Sequence, residues 1–165
     1  MLQHLFGNKK GISIIELLTA VAIISFAVIS LLELTSFCLR ITSIINQTNK
    51  ANNMAQEMME QIRNFRDVTS WNIDGLETIT PSTDYYIQKS GTPATWQLIQ
   101  GTKTVNGFTK KAVLEDVMRD LNDDIVESGG VNDPNTKKIT VTVSWEERGN
   151  SRQIEFISYF TNWKQ

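Results

Sequence analysis

Apolar residues fill almost every position from Ile12 to Leu32, and beyond this run they recur with helical spacing. The run is 21 residues long, which corresponds to about 31 Å of α-helix. Because the hydrocarbon core of a bilayer is about 30 Å thick, the run predicts one membrane-spanning helix. Lys9 and Lys10 precede it, so the positive-inside rule places residues 1–11 in the cytoplasm and the remainder of the chain outside.

The apolar stripe continues at three- and four-residue intervals as far as Phe65, through positions such as Ala51 and Ile62. No Pro or Gly interrupts residues 12–67. The pattern therefore predicts a single helix of about 55 residues. Its first part, 12–39, is long and apolar enough for a membrane, and its second part, 40–67, is amphipathic and expected to pack on a head domain.

From about residue 73 the composition changes to Thr, Gly, Asn and Asp, with short β-branched and aromatic runs. Asn106-Gly107 is a typical two-residue hairpin turn, and residues 122–135 are predicted to form a surface loop. The Asn106-Gly107 turn is flanked by the runs 102–105 and 108–118, and four further runs resemble strands, at 84–88, 95–100, 138–145 and 153–160. The predicted fold class is therefore α+β, with the long N-terminal helix packed on an antiparallel sheet that spans residues 84–161 of a head domain, 40–165.

Glu16 is an exception within the apolar run. A charged side chain in a bilayer costs roughly 2.5–3.5 kcal/mol on insertion scales and is usually functional. A plain signal anchor explains the lysines and the apolar run but leaves Glu16 without a partner. Ala20-Val21-Ala22 has the form of a leader-peptidase site, yet it lies in the middle of the apolar run rather than after it, which argues against a cleavable secretory signal.

The start of the chain combines Lys9-Lys10-Gly11, the apolar Ile12 that follows, and Glu16 four residues further on. These matching residues resemble the class III signal of type IV prepilins and type II secretion pseudopilins. The resemblance implies that prepilin peptidase removes the leader 1–11 by cleaving after Gly11 and methylates the new terminus at Ile12. Most family members carry Phe or Met where Ile12 stands, and all of these residues are apolar. The close match covers about 25 residues.

The resemblance also implies a partner for Glu16. Cleavage exposes an α-amine on Ile12, which is cationic at neutral pH. In these filaments the amine is thought to pair with the glutamate of an adjoining subunit, where the low dielectric makes the attraction strong. A pilin-like fold would follow, with 12–39 in the filament core. The family's partners are prepilin peptidase, other pilins or pseudopilins, an inner-membrane platform protein and, indirectly, an assembly ATPase.

Residues 54–72 resemble minor pilins of the PilV type and the related secretion pseudopilins. Before assembly, such a subunit lies in the bacterial cytoplasmic membrane as a single-pass protein with its head outside. The sequence does not distinguish a pilus from a secretion or competence filament. Two alternatives stay open, namely a membrane-anchored binding module that forms no filament and a DNA-binding competence pilin.

The side-chain inventory argues against enzyme chemistry. His4 is the only histidine and lies in the predicted leader, so the mature chain lacks a histidine for a catalytic triad or a zinc site. No phosphate-binding loop or nucleophile elbow is present. We therefore expect neither catalysis nor a cofactor. Cys38 is the only cysteine, so it is expected to make an apolar contact in a helix bundle or an intersubunit disulfide.

Two charged groups in the head suggest ligands. Acidic residues concentrate around the predicted loop: Asp120, Asp123, Asp124, Glu127 and Asp133. Such oxygen ligands suit calcium, but their spacing is not that of an EF-hand, so a solvated acidic surface is the favoured interpretation. Lysines with Trp96 or Trp145 nearby could form a DNA patch: Lys103, Lys110, Lys111, Lys137 and Lys138. Loss of the two leader lysines leaves 14 basic against 18 acidic side chains. This acidic balance argues against nucleic acid as a partner.

Overall fold

The computed structural model describes residues 13–163. Its helix α1 runs from Ile14 to Val68, a length of 55 residues. The predicted single helix is confirmed, and it is continuous because the chain offers neither a Pro nor a Gly to break the i→i−4 hydrogen bonds. The chain divides into two compact units, 1–46 and 47–165. The division falls within α1.

The second unit contains a seven-stranded antiparallel sheet. Its strands are β1 Asp84–Ser90, β2 Thr95–Gln100, β3 Lys103–Val105, β4 Phe108–Arg119, β5 Ile125–Val126, β6 Val131–Glu147 and β7 Asn150–Thr161. The strands are ordered β2-β1-β4-β6-β7, with β3 and β5 each paired to β4. A 3₁₀ turn, Leu76–Thr78, lies between the helix and the sheet in the sequence. The α+β layout predicted from the sequence, a long N-terminal helix packed on a C-terminal antiparallel sheet, is confirmed.

The outer part of α1 packs on one face of this sheet because its apolar stripe matches the alternation of the strands. On β6 the alternating apolar residues are all buried, as predicted: Ile139, Val141, Val143 and Trp145. The helix contributes buried residues at helical spacing: Ala51, Ala55, Met58, Met59, Ile62 and Phe65. Each large side chain buried in this way contributes about 1.5–3 kcal/mol. Burial of the helical stripe begins at Ala51. Earlier residues of the same stripe, such as Leu34 and Phe37, are exposed.

Three hairpin turns lie at one end of the sheet, because β4 and β7 begin there and β1 and β6 end there. Asn106-Gly107 joins β3 to β4 with φ of 52° and 83°, and Arg148-Gly149 joins β6 to β7 with φ of 50° and 78°. Positive φ at both central residues is the signature of the type I′ turn, whose twist matches that of paired strands. We call this end of the head, with turns 91–94, 106–107 and 148–149, the hairpin end.

The opposite end of the sheet differs from the sequence prediction. Residues 122–135 are not one loop, since β5 and the first residues of β6 lie within them. The register shifts there, because Asp116 pairs with Lys137 whereas the next residue, Val117, pairs with Asp133. The three extra residues, 134–136, form a bulge, where Pro134 removes no ladder hydrogen bond. Trp71 Nε1 donates to the Pro134 carbonyl over 2.8 Å, so the bulge holds the segment that follows α1.

Candidate functional site

Glu16 lies in the first turn of α1, where the positive end of the helix dipole favours a carboxylate. Its backbone N–H donates to the Ser13 carbonyl over 3.0 Å, which closes that turn. Its carbonyl accepts a hydrogen bond from Thr19 Oγ1 over 2.9 Å. Among residues 13–163, no hydrogen bond or ion pair reaches the Glu16 carboxylate, which is exposed. The structure therefore presents an anionic group that has no partner within the described part of the chain.

The helical segment around Glu16 exposes its apolar side chains in every direction. The most apolar 18-residue window of α1 has none of its residues buried, and by length and composition the helix could cross a membrane. The large exposed side chains include Ile14, Leu18, Phe26 and Leu32. A helix that is apolar on all sides is typical of a membrane span or of the core of an assembly.

Most hydroxyl groups in this segment donate to the backbone of the helix itself. Ser25 Oγ donates to the Val21 carbonyl over 2.8 Å, and Ser30 Oγ donates to the Phe26 carbonyl over 2.9 Å. Thr35 and Thr42 make the same bond to the carbonyl four residues earlier. In an apolar medium an unpaired polar group is costly, so these internal bonds adapt the segment to such a medium. The Glu16 side chain makes no comparable bond to any residue from 13 to 163.

The other residues of the predicted processing site lie outside the described part of the chain. They are Lys9, Lys10, Gly11 and Ile12. Whether Ile12 and Glu16 of neighbouring subunits come together therefore stays a prediction. Cys38 is exposed on α1, and its carbonyl accepts the hydrogen bond from Thr42 Oγ1.

The acidic residues of the head form an ordered structure at the end opposite the hairpins. Arg119, the last residue of β4, donates through Nε to Asp133 Oδ2 over 2.7 Å and through Nη1 to the Asp123 carbonyl over 2.8 Å. Asp120 Oδ1 accepts from the backbone N–H groups of Asn122 and Asp124 over 2.8 and 3.0 Å. We call residues 119–133 the distal flap. The sequence reasoning missed the role of Arg119, although a lone arginine at the start of an Asp-rich segment was a usable signal.

Burial raises the pKa of the Asp133 carboxyl, but hydrogen bonds from Arg119, Thr136 and the Asn135 N–H together outweigh this effect. The pKa of Asp133 therefore lies below its ordinary value of 3.8. The same Asp133 bond raises the pKa of the Arg119 guanidinium, with burial acting in the opposite direction. Both groups are thus charged at neutral pH and hold β4 to the start of β6.

A glycine is required where the flap returns to the sheet. A Cβ placed on Gly130 would lie 2.5 Å from the Arg119 carbonyl oxygen and 2.8 Å from a Val126 methyl group. Gly129 precedes it with a φ of 80°. The pair Gly129-Gly130 therefore lets the chain turn tightly enough for β5 and β6 to flank Arg119. A cleft of about 570 Å³ lies beside this turn, lined by residues 119–122 and 129–134.

The DNA patch that the sequence left as an alternative is not built from all five lysines. Lys111 Nζ lies 3.0 Å from Asp84 Oδ1, and Lys138 Nζ lies 2.9 Å from Glu115 Oε2. Lys137 is buried and pairs with the Asp116 carboxylate. Three of the five lysines are therefore neutralised by carboxylates. The Trp145 ring is buried in the core and tilted against Phe108, so it offers no face for base stacking.

The remaining two lysines lie at the hairpin end. Lys103 and Lys110 are directly opposite each other in the β3–β4 pair. Like charges in this arrangement repel, and no ion pair within residues 13–163 compensates either of them. Lys103 Nζ lies 5.7 Å from the centre of the Tyr86 ring, and Lys89 Nζ lies 5.0 Å from the centre of the Trp96 ring. Aromatic faces thus orient two of the cations at this end.

Two polar atoms near the same end are buried without a hydrogen-bond partner in the described structure, namely Trp145 Nε1 and Glu147 Oε2. Arg152 Nε lies 3.7 Å from Glu147 Oε2, close enough for electrostatic attraction but too far for a hydrogen bond. Within residues 13–163, no group of three His, Cys, Asp or Glu side chains is arranged to hold a metal ion.

Comparison of the chain with protein-family models, with curated proteins and with solved structures gives no match.

Proposed function

We propose that this chain is a minor pilin or pseudopilin, a subunit of a type IV pilus or a type II secretion-like filament. Prepilin peptidase would cleave it after Gly11 and methylate Ile12. The exposed apolar half of α1 would then leave the bilayer for the filament core, with the head outside the cytoplasmic membrane. The other partners would be sister pilins or pseudopilins, the inner-membrane platform and, indirectly, the assembly ATPase.

The observation that carries the proposal is the carboxylate of Glu16, placed in the first turn of an all-round apolar helix with no partner in residues 13–163. An unpaired carboxylate in an apolar medium is expensive, whereas most of the segment's hydroxyls already donate to the helix backbone. A cationic α-amine on Ile12 of a neighbouring subunit would supply the missing partner. Pairing of this kind would also fix the axial stagger between subunits.

A membrane-anchored binding module that forms no filament is the second candidate, because an exposed apolar helix also suits a monomer in a bilayer. The two candidates differ in what they predict for Glu16. A monomeric anchor gains nothing from a carboxylate within the bilayer, so replacing Glu16 should leave its membrane anchoring unchanged. A filament subunit depends on that carboxylate only after processing, at the assembly step.

The test compares Glu16→Ala with Glu33→Ala, a matched loss of one carboxylate from the same helix. We expect both variants to be processed, seen in the intact mass as loss of residues 1–11 and gain of one methyl group. Glu16→Ala should lower the amount recovered in sheared filaments by at least about tenfold, the equivalent of about 1.4 kcal/mol. Normal incorporation of Glu16→Ala, or an uncleaved wild-type chain in its native envelope, would contradict the proposal.

A further inference from the structure

The distal flap exposes apolar side chains that a folded head would ordinarily bury. Leu121 is fully exposed, Val131 is largely exposed, and Ile125 is 44% exposed. Ile125 and Val131 both pair directly with Arg119, on its two sides, so their side chains share one face with it. An apolar surface of this kind on a polar head is typical of a site that another protein covers.

The flap is rigid enough to serve as a docking surface. Arg119 holds it to Asp133, the Asp120 carboxylate orders the turn that follows, and Gly130 packs closely on the backbone of β4. The apolar side chains are therefore presented in a fixed arrangement. A prearranged surface loses less conformational entropy when a partner binds.

The flap carries a strong negative charge. It contains one cation, Arg119, and five carboxylates, which gives a net charge of −4: Asp120, Asp123, Asp124, Glu127 and Asp133. Arg119 contacts only two of these, Asp133 and Asp123. No ion pair within residues 13–163 neutralises Asp124 or Glu127. The rim of the apolar surface is thus available to cations from another chain.

The hairpin end of the same head carries the opposite charge. It has five cations, Lys89, Lys103, Lys110, Arg148 and Arg152, against the two carboxylates Glu146 and Glu147, a net charge of +3. Only Arg152 lies near one of these carboxylates. Because β4 runs from one end to the other and is 12 residues long, the two ends are separated by about 37 Å. The two charges therefore cannot neutralise each other within one head.

We propose that the distal flap of one copy docks on the hairpin end of a second copy. The carboxylates of the flap meet the cations of the hairpin end, and Leu121 and Val131 pack on the aliphatic stems of the lysines. Two different patches meet in this contact, so each copy keeps one free patch and the contact can repeat along a filament. The inference rests on the proposed filament function and assigns the head surfaces that neighbouring copies share.

The experiment uses the full chain in its native envelope, with Cys38→Ala in all copies. Two tagged copies are expressed together, one with Leu121→Cys and the other with Asn150→Cys at the hairpin end. We expect an oxidative cross-link that joins the two tags. A copy with Glu155→Cys, in the middle of β7, in place of Asn150→Cys should cross-link at least about tenfold less, a difference of about 1.4 kcal/mol.

Charge reversal tests the electrostatic part of the contact. Asp124→Lys with Glu127→Lys in the Leu121→Cys copy should lower the cross-link about tenfold, and Lys89→Glu with Arg148→Glu in the other copy should restore it. Glu155→Lys is the matched control and should have no effect. An unchanged yield after reversal, or a failure of the second pair to restore it, would overturn the inference.

The same samples separate this inference from the proposed function. If the wild-type chain enters filaments but Leu121→Cys and Asn150→Cys never cross-link, the flap contact is wrong and the filament function stands. If the cross-link forms and follows the charge reversals while the chain never enters filaments, the contact stands and the filament function is wrong. A cross-link of Leu121→Cys only to a different protein would also overturn the contact between copies.

Discussion

The guanidinium of Arg119 donates to the carboxylate of Asp133 over 2.7 Å and so joins the last residue of β4 to the third residue of β6. Both side chains are mostly buried, with 28% and 15% of their surface exposed. The bond lies just beyond the point where the strand register shifts, between Asp116 and Val117. It therefore reinforces the pairing of β4 with the start of β6 next to the bulge at 134–136, and it makes the flap sensitive to the charge of Asp133.

The first prediction concerns the pH dependence of the flap. The pKa of Asp133 is lowered by folding, so its stabilising contribution is complete above its unfolded pKa, near 3.8. The contribution is lost as the pH falls through the lower, folded value. We expect amide exchange at Ile125 and Val131 to become faster, relative to the core of β6, on acidification from pH 5 to below 3.8. Asp133→Asn should cost about 1–2 kcal/mol at pH 7 and remove this dependence. Retention of the full dependence in Asp133→Asn would show that another group is responsible.

The second prediction concerns Gly130, where a side chain would meet backbone rather than open space. Gly130→Ala should cost about 3 kcal/mol, because the Arg119 carbonyl and the start of β6 must move apart. Gly149→Ala is the control, since its Cβ meets nothing within 4 Å and only its positive φ is unfavourable, at about 1 kcal/mol. Urea unfolding of both full-length variants in detergent measures the difference. Equal costs would mean that the close approach at Gly130 relaxes freely.

The third prediction compares two neighbouring ion pairs on β4. Lys137 has only 6% of its side chain exposed, so Asp116→Ala would leave a buried ammonium without its partner. We expect the free energy of unfolding to fall by about 2 kcal/mol, since leaving a buried polar group unpaired costs more than the net stabilisation that its hydrogen bond provides. Glu115→Ala removes the partner of Lys138, whose side chain is 35% exposed, and should cost less than about 1 kcal/mol.

Lys137→Met completes this comparison. It removes the buried charge and keeps most of the side-chain volume, so in the background of Asp116→Ala it should restore most of the lost stability. A double variant as unstable as Asp116→Ala alone would argue against the unpaired ammonium as the cause. The measurement is again urea unfolding at one pH and one salt concentration.

The fourth prediction concerns processing of the leader. The proposed cleavage follows a leader that ends in Gly, so Gly11→Val should leave the full-length chain in the membrane. Gly7→Val makes the same change within the leader but away from the cut, and it should be processed normally. Intact mass spectrometry distinguishes the two forms by the loss of residues 1–11. Cleavage of Gly11→Val at the same bond would exclude this type of processing.

The sequence alone was sufficient to predict α1 and the main strands. Helical periodicity, the absence of Pro and Gly, and the Asn106-Gly107 turn are local signals that act through backbone geometry over a few residues. The alternation of Ile139, Val141, Val143 and Trp145 likewise predicted the buried face of β6, because successive side chains on a strand point to opposite faces. The unusual position of Glu16 was also visible without a structure.

Only the tertiary structure decided which charges meet. Lys137 and Asp116 are 21 residues apart in sequence, and their pairing depends on the register between β4 and β6. A shift of one residue in that register would turn one of the two side chains to the other face of the sheet. For the same reason, the sequence could not show that three of the five lysines are neutralised or that the predicted loop 122–135 is an ordered flap. Local periodicity fixes the elements and their faces, whereas the pairing of distant side chains follows from the register in which those elements pack.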